Sequence, residues 1–188
     1  MIRKRIAGFT LLELIVTLAL AAIIITVAVP AFQETIRRNR RATQANDLVS
    51  ALSLARSEAI KRGEMVTICR SDDQASCTAG ANWEDGWLVF ADSNAAGGDT
   101  IGTLDAGEEL LRVYEGLSGG NTLRVGANFQ DYLSYLPDGL SRSSGGGFGA
   151  DTFSLCDYQG DPTDGRYIAI NITGRVQVRD YTAGDTCL

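Results

Sequence analysis

The amino-acid sequence predicts an α+β protein in which a long N-terminal membrane-spanning helix packs on an antiparallel β-sheet head. Three observations support this fold class. Residues 14–32 are apolar except for Thr17 and Thr26. Residues 45–59 carry apolar side chains at three- and four-residue spacing, which indicates an amphipathic helix. From Glu64 onward, short β-prone runs alternate with Gly, Asn and Asp, which favours antiparallel strands.

The apolar run has the length and flanks of a single membrane span. About 20 apolar residues, at a rise of about 1.5 Å each, cross a hydrocarbon core. Arg3, Lys4 and Arg5 precede the run, and a basic flank stays on the cytoplasmic side. The sequence therefore predicts a cytoplasmic N-terminus and an exported head.

Glu13 is the lone carboxylate at the start of this run, and the next charged residue is Glu34. Because an ionisable group costs roughly 2.5–3.5 kcal/mol at the centre of a membrane helix, we expect Glu13 to have a partner. Two alternatives remain open. Val29-Pro30-Ala31 would suit a cleaved signal peptide, although such h-regions are shorter and uncharged. A plain membrane anchor would tolerate Glu13 near the interface.

The amphipathic helix that follows is expected to end at Gly63, after the basic residues Lys61 and Arg62. Between the two helical segments lies an arginine cluster that we expect to contact lipid headgroups or face solvent. The cluster consists of Arg37, Arg38, Arg40 and Arg41.

The N-terminal segment Gly8-Phe9-Thr10-Leu11-Leu12-Glu13-Leu14 resembles the class III signal of type IV pilins and type II secretion pseudopilins. The resemblance implies cleavage between Gly8 and Phe9 by a prepilin peptidase and N-methylation of Phe9. It implies that an assembly platform in the bacterial inner membrane transfers the helix into a filament, where Glu13 pairs with the Phe9 amine of a neighbouring subunit. Pro30 also fits the family, in which a proline interrupts this helix.

Eight strands are predicted in the head. They are Met65–Arg70, Trp87–Ala91, Glu109–Tyr114, Thr122–Val125, Tyr132–Leu136, Thr152–Cys156, Tyr167–Ile172 and Arg175–Arg179.

Four motifs stand out in the head, namely residues 83–90 with two tryptophans, Leu136-Pro137-Asp138-Gly139, Gly165-Arg166-Tyr167-Ile168 and Gly174-Arg175-Val176. Together they resemble the GspH/FimT family of H-type minor pseudopilins and minor pilins. The resemblance implies a subunit at or near the tip of a type II secretion pseudopilus or a type IV pilus. Its partners would be other subunits, the peptidase, the platform and membrane lipid.

The predicted organisation has four parts. Residues 1–8 are a basic leader peptide, 9–32 the transmembrane and assembly helix, 33–62 an amphipathic stem helix and 63–188 a periplasmic head.

Four cysteines in an exported chain predict two disulfides, because the periplasm is oxidising. Among the three possible pairings we favour Cys69–Cys77, which closes a hairpin loop, and Cys156–Cys187, which ties down the C-terminal tail. A structural zinc site is the rival interpretation, but the chain has no histidine and no Cys-x-x-Cys spacing.

No catalytic, cofactor or metal site is predicted. The lack of histidine removes Ser-His-Asp and Cys-His catalysis, and paired acids such as Asp72/Asp73 and Glu108/Glu109 suit a solvated surface. The acidic loop 92–105 could bind calcium but lacks EF-hand spacing. Residues 143–149 are predicted to form a flexible glycine-rich loop.

DNA capture is the alternative function, because some relatives bind DNA through C-terminal arginines after a Gly-Arg pair. Arg175 and Arg179 are the candidates here, but Gln177 stands where those relatives carry a second arginine. Residues 64–188 hold 7 basic and 19 acidic residues, a net charge near −12 that repels phosphate. The other interpretation of both arginines is pairing with nearby acids such as Asp180.

Overall fold

The computed structural model describes residues 9–93 and 100–187. The chain divides into two compact units, residues 1–39 and 40–188. Helix α1, Leu11–Arg62, contributes its first part to one unit and its second part to the other.

Nine strands follow α1 among the described residues of the second unit. They are β1 Val66–Arg70, β2 Gly86–Ala91, β3 Leu110–Glu115, β4 Thr122–Arg124, β5 Tyr132–Tyr135, β6 Ser141–Ser143, β7 Asp151–Cys156, β8 Arg166–Ile170 and β9 Val176–Arg179. Short 3₁₀ helices at Trp83–Asp85, Ala127–Phe129 and Pro162–Asp164 lie between them.

The strands form two antiparallel sheets. The larger sheet has the order β3-β2-β1-β5-β6, and the smaller has the order β4-β7-β8-β9. In the larger sheet, Ile68 at the centre faces Val89 on one side and Leu133 on the other. All three side chains are fully buried, so this register directs the apolar face of the sheet into the core.

The second part of α1 supplies the helical wall of that core. Its buried residues run from Arg41 to Ala59, and four of them are alanines: Ala45, Ala51, Ala55 and Ala59. These alanines belong to the same buried core cluster as the side chains of the sheets. Larger residues, chiefly Leu48, Leu52, Trp87, Phe129, Tyr135 and Phe153, fill the remaining space.

The α+β fold with an antiparallel head is confirmed, and the structure divides the head between two sheets. All eight predicted strands are present within one or two residues of their predicted ends. Strand β6 was not predicted, because Ser141-Arg142-Ser143 has no apolar side chain. Ser143 therefore lies in a strand, and its assignment to a flexible loop was wrong. The helix ends as predicted, with Gly63 at φ 68° donating its N–H to the Ala59 carbonyl at 3.0 Å.

Candidate filament interface

The first turn of α1 is capped by Thr10. The Thr10 hydroxyl oxygen accepts the Glu13 backbone N–H at 3.2 Å, and the Thr10 carbonyl accepts the Leu14 N–H at 3.2 Å. The spacing Thr10-x-x-Glu13 is that of a capping box, a local signal in the sequence from which this helix start could have been predicted. Glu13 therefore lies at the N-terminal end of the helix, where the positive helix dipole favours a carboxylate.

The helix that carries Glu13 presents a continuous apolar surface. Large side chains from Phe9 to Phe32 are exposed within this unit, and the apolar stretch is long enough to cross a membrane. The two hydroxyls of residues 14–32 are satisfied inside the helix, since Thr17 donates to the Leu14 carbonyl at 2.9 Å and Thr26 to the Ile23 carbonyl at 2.8 Å. Such a surface can face lipid or the apolar helices of other subunits without leaving these hydroxyls unpaired.

Pro30 lies inside α1, and the helix continues through it. The interruption that the resemblance implied is therefore not found. Proline has no N–H, so the carbonyl of Thr26 loses the backbone donor that it would receive at this position.

The arginine cluster divides into residues with different roles. In the first unit, Arg37 and Arg38 pair with Glu34, at N–O distances of 3.5 and 2.7 Å. In the second unit, Arg41 is buried and lies 3.4 Å from the buried Asp157 carboxylate. The expectation of a lipid or solvent contact is therefore wrong for Arg41, because tertiary folding supplies an acid that is distant in the sequence.

Arg56 on α1 joins two of the head motifs. Its Nε donates to the Gly139 carbonyl at 3.1 Å, and its Nη2 donates to the Thr173 carbonyl at 2.9 Å. Gly174 follows Thr173 at φ 71°, and a Cβ there would come within 2.1 Å of the Gly139 oxygen. The Asp138-Gly139 and Thr173-Gly174 motifs are thus turns that dock on the stem, and Arg56 was missed because nothing local in the sequence marks it.

The C-terminal arginines differ in their contacts. Both Nη atoms of Arg179 donate to the Asp185 carboxylate, and this interaction holds the pKa of that carboxyl well below its usual range. Asp180 instead pairs with Arg166, at 2.5 Å. The Arg175 guanidinium makes no hydrogen bond or ion pair within residues 9–93 and 100–187.

Both disulfides lie in the second unit. Cys69 bonds to Cys77 with a Cα–Cα distance of 5.6 Å, and Cys156 bonds to Cys187 with a Cα–Cα distance of 5.9 Å. The structure therefore pairs the cysteines with each other rather than around zinc.

The acidic residues of the loops cap backbone N–H groups. Asp73 accepts from the Ala75 and Ser76 N–H groups, both at 2.8 Å, and Glu108 accepts from Ser93 at 3.0 Å and Asp105 at 2.9 Å. Residues 94–99 of the suggested calcium loop lie outside the described residues. Among the residues described, no three Cys, Asp or Glu side chains are grouped to hold a metal ion.

The fold and the exposed helix define a pilin-like, membrane-anchored subunit. A family model described as "Type II transport protein GspH" matches residues 44–174, and a model of the prokaryotic N-terminal methylation motif matches residues 3–29. The chain belongs to the GspH family of minor pilins and pseudopilins. Members of this family are structural subunits of filaments and not enzymes.

Two solved structures have the same fold. The type IV minor pilin FimU of Pseudomonas aeruginosa is 22% identical, with a TM-score of 0.59 over 81% of this chain and 98% of that one. The minor pseudopilin EpsH of the Vibrio cholerae type 2 secretion system is 14% identical, with a TM-score of 0.50 over 75% and 97%. A comparison of the sequence with curated proteins finds no match.

Proposed function

We propose that the protein is a non-enzymatic minor pilin or pseudopilin that is cleaved between Gly8 and Phe9, methylated on Phe9 and incorporated at or near the tip of a filament. The filament is a type II secretion pseudopilus or a type IV pilus, and it supports protein secretion or pilus assembly. The observation that carries the proposal is the lone carboxylate Glu13 in the first turn of an exposed apolar helix. Gly8 itself lies outside the described residues.

Glu13 acts as the assembly residue under this proposal. A carboxylate among apolar helices has a desolvation cost, and a paired cation offsets that cost only when it is present. Cleavage creates a charged amine on Phe9, and methylation keeps its charge. The amine of a neighbouring subunit then stabilises Glu13 in the filament, so that docked subunits are favoured over isolated ones.

The proposed topology follows from the same segment. Arg3, Lys4 and Arg5 hold the N-terminus in the cytoplasm, residues 9–32 cross the inner membrane, and the stem 33–62 and head 63–188 lie in the periplasm. The peptidase removes residues 1–8, and the assembly platform transfers the helix from lipid into the filament.

Intact-mass analysis of the protein from membranes, with and without the prepilin peptidase, tests the processing. We expect a peptidase-dependent loss of residues 1–8 and the gain of one methyl group on Phe9. An unprocessed N-terminus would support the plain anchor, and cleavage after Ala31 would support the signal peptide; either result overturns the proposal.

Glu13→Ala tests the assembly role. We expect at least a tenfold loss of the protein from sheared filament fractions at an unchanged membrane level, because about 1.4 kcal/mol already changes an equilibrium tenfold. Glu34→Ala is the matched control, since Glu34 pairs with Arg38 inside its own subunit at 2.7 Å. Normal incorporation of the Glu13→Ala protein contradicts the proposal.

DNA capture through Arg175 and Arg179 is the alternative, and it has less support. The Arg175 guanidinium is exposed and free to bind a phosphate, but Arg179 is already held by Asp185. The surrounding head carries a net charge near −12, which opposes an approaching polyanion.

A further inference from the structure

We infer that the groove between the stem helix and strand β9 binds an extended acidic segment of a partner protein, which pairs with the free edge of β9 and places a carboxylate beside Arg56 and Arg175. This edge groove has a volume of about 390 Å³, within the roughly 300–1,000 Å³ of ordinary ligand sites. Its walls include Val49, Ser53, Arg56 and Ile60 of α1, and Arg175 and Val176 at the start of β9. The inference goes beyond the proposed function, because it concerns the head and does not depend on Glu13.

Strand β9 has a free edge, because it is the last strand in the order β4-β7-β8-β9. The Asn171 N–H donates to the Arg175 carbonyl at 3.2 Å, which makes these two residues a hydrogen-bonded pair. Such pairs alternate with non-hydrogen-bonded pairs along an antiparallel ladder. The backbone N–H and C=O groups of Val176 and Val178, which lie opposite buried isoleucines of β8, therefore point away from the sheet. An added strand can satisfy such edge groups.

The side chains beside this edge are apolar and accessible. Ile60 is 53% exposed and Val178 is 44% exposed. Val49 and Val176 are half-buried and pack against the hydrophobic core, so they line the groove from its inner side. An added strand directs alternate side chains to opposite faces of the sheet, and those on the inner face would cover these residues. The groove therefore favours a segment with apolar residues at every second position.

Two guanidiniums give the edge groove a positive charge on an otherwise acidic head. Arg56 donates to the head carbonyls through Nε and Nη2, whereas its Nη1 has no partner in the described part of the chain and is accessible to solvent. The Arg175 side chain is exposed and has its guanidinium free. Among the described residues that line the groove, none is acidic, although residues 64–188 carry a net charge near −12. A carboxylate therefore meets charged donors here, and a cation would be repelled.

The backbone edge and the charge together identify the occupant as a foreign polypeptide strand. A phosphate group could pair with both arginines, but it has no N–H donor for the carbonyls of Val176 and Val178. A second copy of β9 is disfavoured, because residues 175–179 contain two arginines and no acid. Antiparallel pairing of two such strands would place like charges opposite each other. A partner segment in which acidic residues alternate with apolar ones matches the edge, the guanidiniums and the apolar wall.

Titration of the full-length protein in detergent micelles with synthetic peptides tests the inference. The probe is a capped, fluorescein-labelled seven-residue peptide in which valine alternates with glutamate, and the comparison peptide carries lysine in place of glutamate. We expect fluorescence anisotropy to show at least tenfold tighter binding of the glutamate peptide. Bound peptide should also slow hydrogen exchange of the β9 amides, and exchange in the other edge strand, β3, should stay unchanged.

Two variants separate the side-chain and backbone contributions. Arg175→Ala removes one guanidinium, and Val178→Pro removes an outward-facing N–H while leaving the pairing with β8 in place. Each should weaken binding of the glutamate peptide at least fivefold. Arg112→Ala is the matched control, since Arg112 is an exposed arginine of β3 that does not line the edge groove, and it should leave the affinity unchanged.

Equal affinity for the two peptides, or a Kd weaker than about 1 mM for the glutamate peptide, overturns the inference. So does an affinity that either Arg175→Ala or Val178→Pro leaves unchanged. A labelled DNA duplex that displaces the glutamate peptide and binds less tightly to the Arg175→Ala protein would assign the groove to nucleic acid instead. Each of these results leaves the proposed function intact, because processing and the Glu13→Ala variant test that function separately.

Discussion

At the residue scale, the two head tryptophans are both buried but differ in hydrogen bonding. Trp83 donates to two carbonyls, whereas the Trp87 N–H has no acceptor among the described residues. A buried donor without an acceptor costs roughly 1–3 kcal/mol, and a hydrogen bond contributes about 0.5–1.5 kcal/mol net. The sequence motif that contains both tryptophans does not distinguish them, because hydrogen-bond satisfaction depends on carbonyls from distant loops.

Paired tryptophan substitutions test this difference. Trp83→Phe and Trp87→Phe remove similar volumes, so both should lower the free energy of unfolding. We expect Trp83→Phe to cost about 1 kcal/mol more, because it alone removes satisfied hydrogen bonds. The measurement is denaturant unfolding of the full-length protein in detergent micelles, and equal losses, or a larger loss for Trp87→Phe, would refute the assignment.

Two aspartates are expected to make the stability of the head depend on pH in opposite directions. Donation from Arg179 lowers the pKa of Asp185, so its stabilising effect is present above the ordinary aspartate pKa of about 3.9 and is lost as pH falls. Burial raises the pKa of Asp92, whose Oδ1 has no partner in the described residues. Its neutral form stabilises the fold at acid pH, and that stabilisation is lost as pH rises through the raised pKa.

Asp185→Asn and Asp92→Asn separate these effects. The stability advantage of the unaltered protein over Asp185→Asn should shrink as pH falls below about 4. Its advantage over Asp92→Asn should instead grow as pH falls through the raised pKa of Asp92, and this growth should be complete by about pH 4. Urea unfolding as a function of pH measures both slopes, and slopes of the same sign would contradict the assigned pKa directions.

At the scale of elements, the two parts of α1 have different surfaces. Residues 14–32 are apolar all round, with their two hydroxyls bonded to their own helix. The second part of the helix has one alanine-rich face that is buried against the sheets. Arg56 of this helix donates to one carbonyl in each of two Gly-containing turns of the head, and so holds both turns against the helix.

Removal of this contact should destabilise the head. We expect Arg56→Ala to lower the free energy of unfolding by roughly 1–3 kcal/mol, because two carbonyls lose a charged donor. Arg56→Lys should retain only part of the stability that Arg56→Ala loses, since an ammonium lacks the guanidinium fork that bridges both turns. Lys61→Ala is the control on the same helix, with its side chain 74% exposed, and should change stability by less than about 0.5 kcal/mol. A loss for Arg56→Ala no larger than for Lys61→Ala would count against the docking role.

At the scale of the whole molecule, charge separates the filament role from DNA capture. Basic residues are concentrated before residue 63, and residues 64–188 hold 7 basic and 19 acidic residues. Affinity for DNA comes largely from neutralising phosphates, and it falls steeply with salt. The ion pairs of Arg166 and Arg179 further reduce the positive charge that the C-terminal region can offer.

We expect the full-length protein to show no salt-dependent affinity for duplex DNA between roughly 50 and 200 mM salt. Fluorescence anisotropy with a labelled duplex provides the measurement, and the Arg175→Ala/Arg179→Ala protein provides the comparison. Binding that weakens with salt and disappears in the double variant would support the DNA-capture alternative instead.

The sequence alone was sufficient for features that are set locally. Apolar length predicts the membrane-compatible helix, three- and four-residue spacing predicts the stem, and Gly63 marks its end. Alternation and turn residues predict every described strand except β6. This strand was not predicted because Ser141-Arg142-Ser143 is polar, and only its pairing with β5 defines it. The family was also recognisable, because its N-terminal signal and turn motifs are short contiguous patterns.

Only the tertiary structure decided which distant residues meet. It divides the strands into two sheets, buries Arg41 against Asp157, places Arg56 on two turns and leaves the Trp87 N–H without an acceptor among the described residues. The physical reason is that long-range hydrogen bonds and ion pairs depend on distance and burial in the folded chain, which carry no local sequence pattern. The sequence thus determined the kind of subunit, and the packing of its head determined the surfaces that it offers to partners.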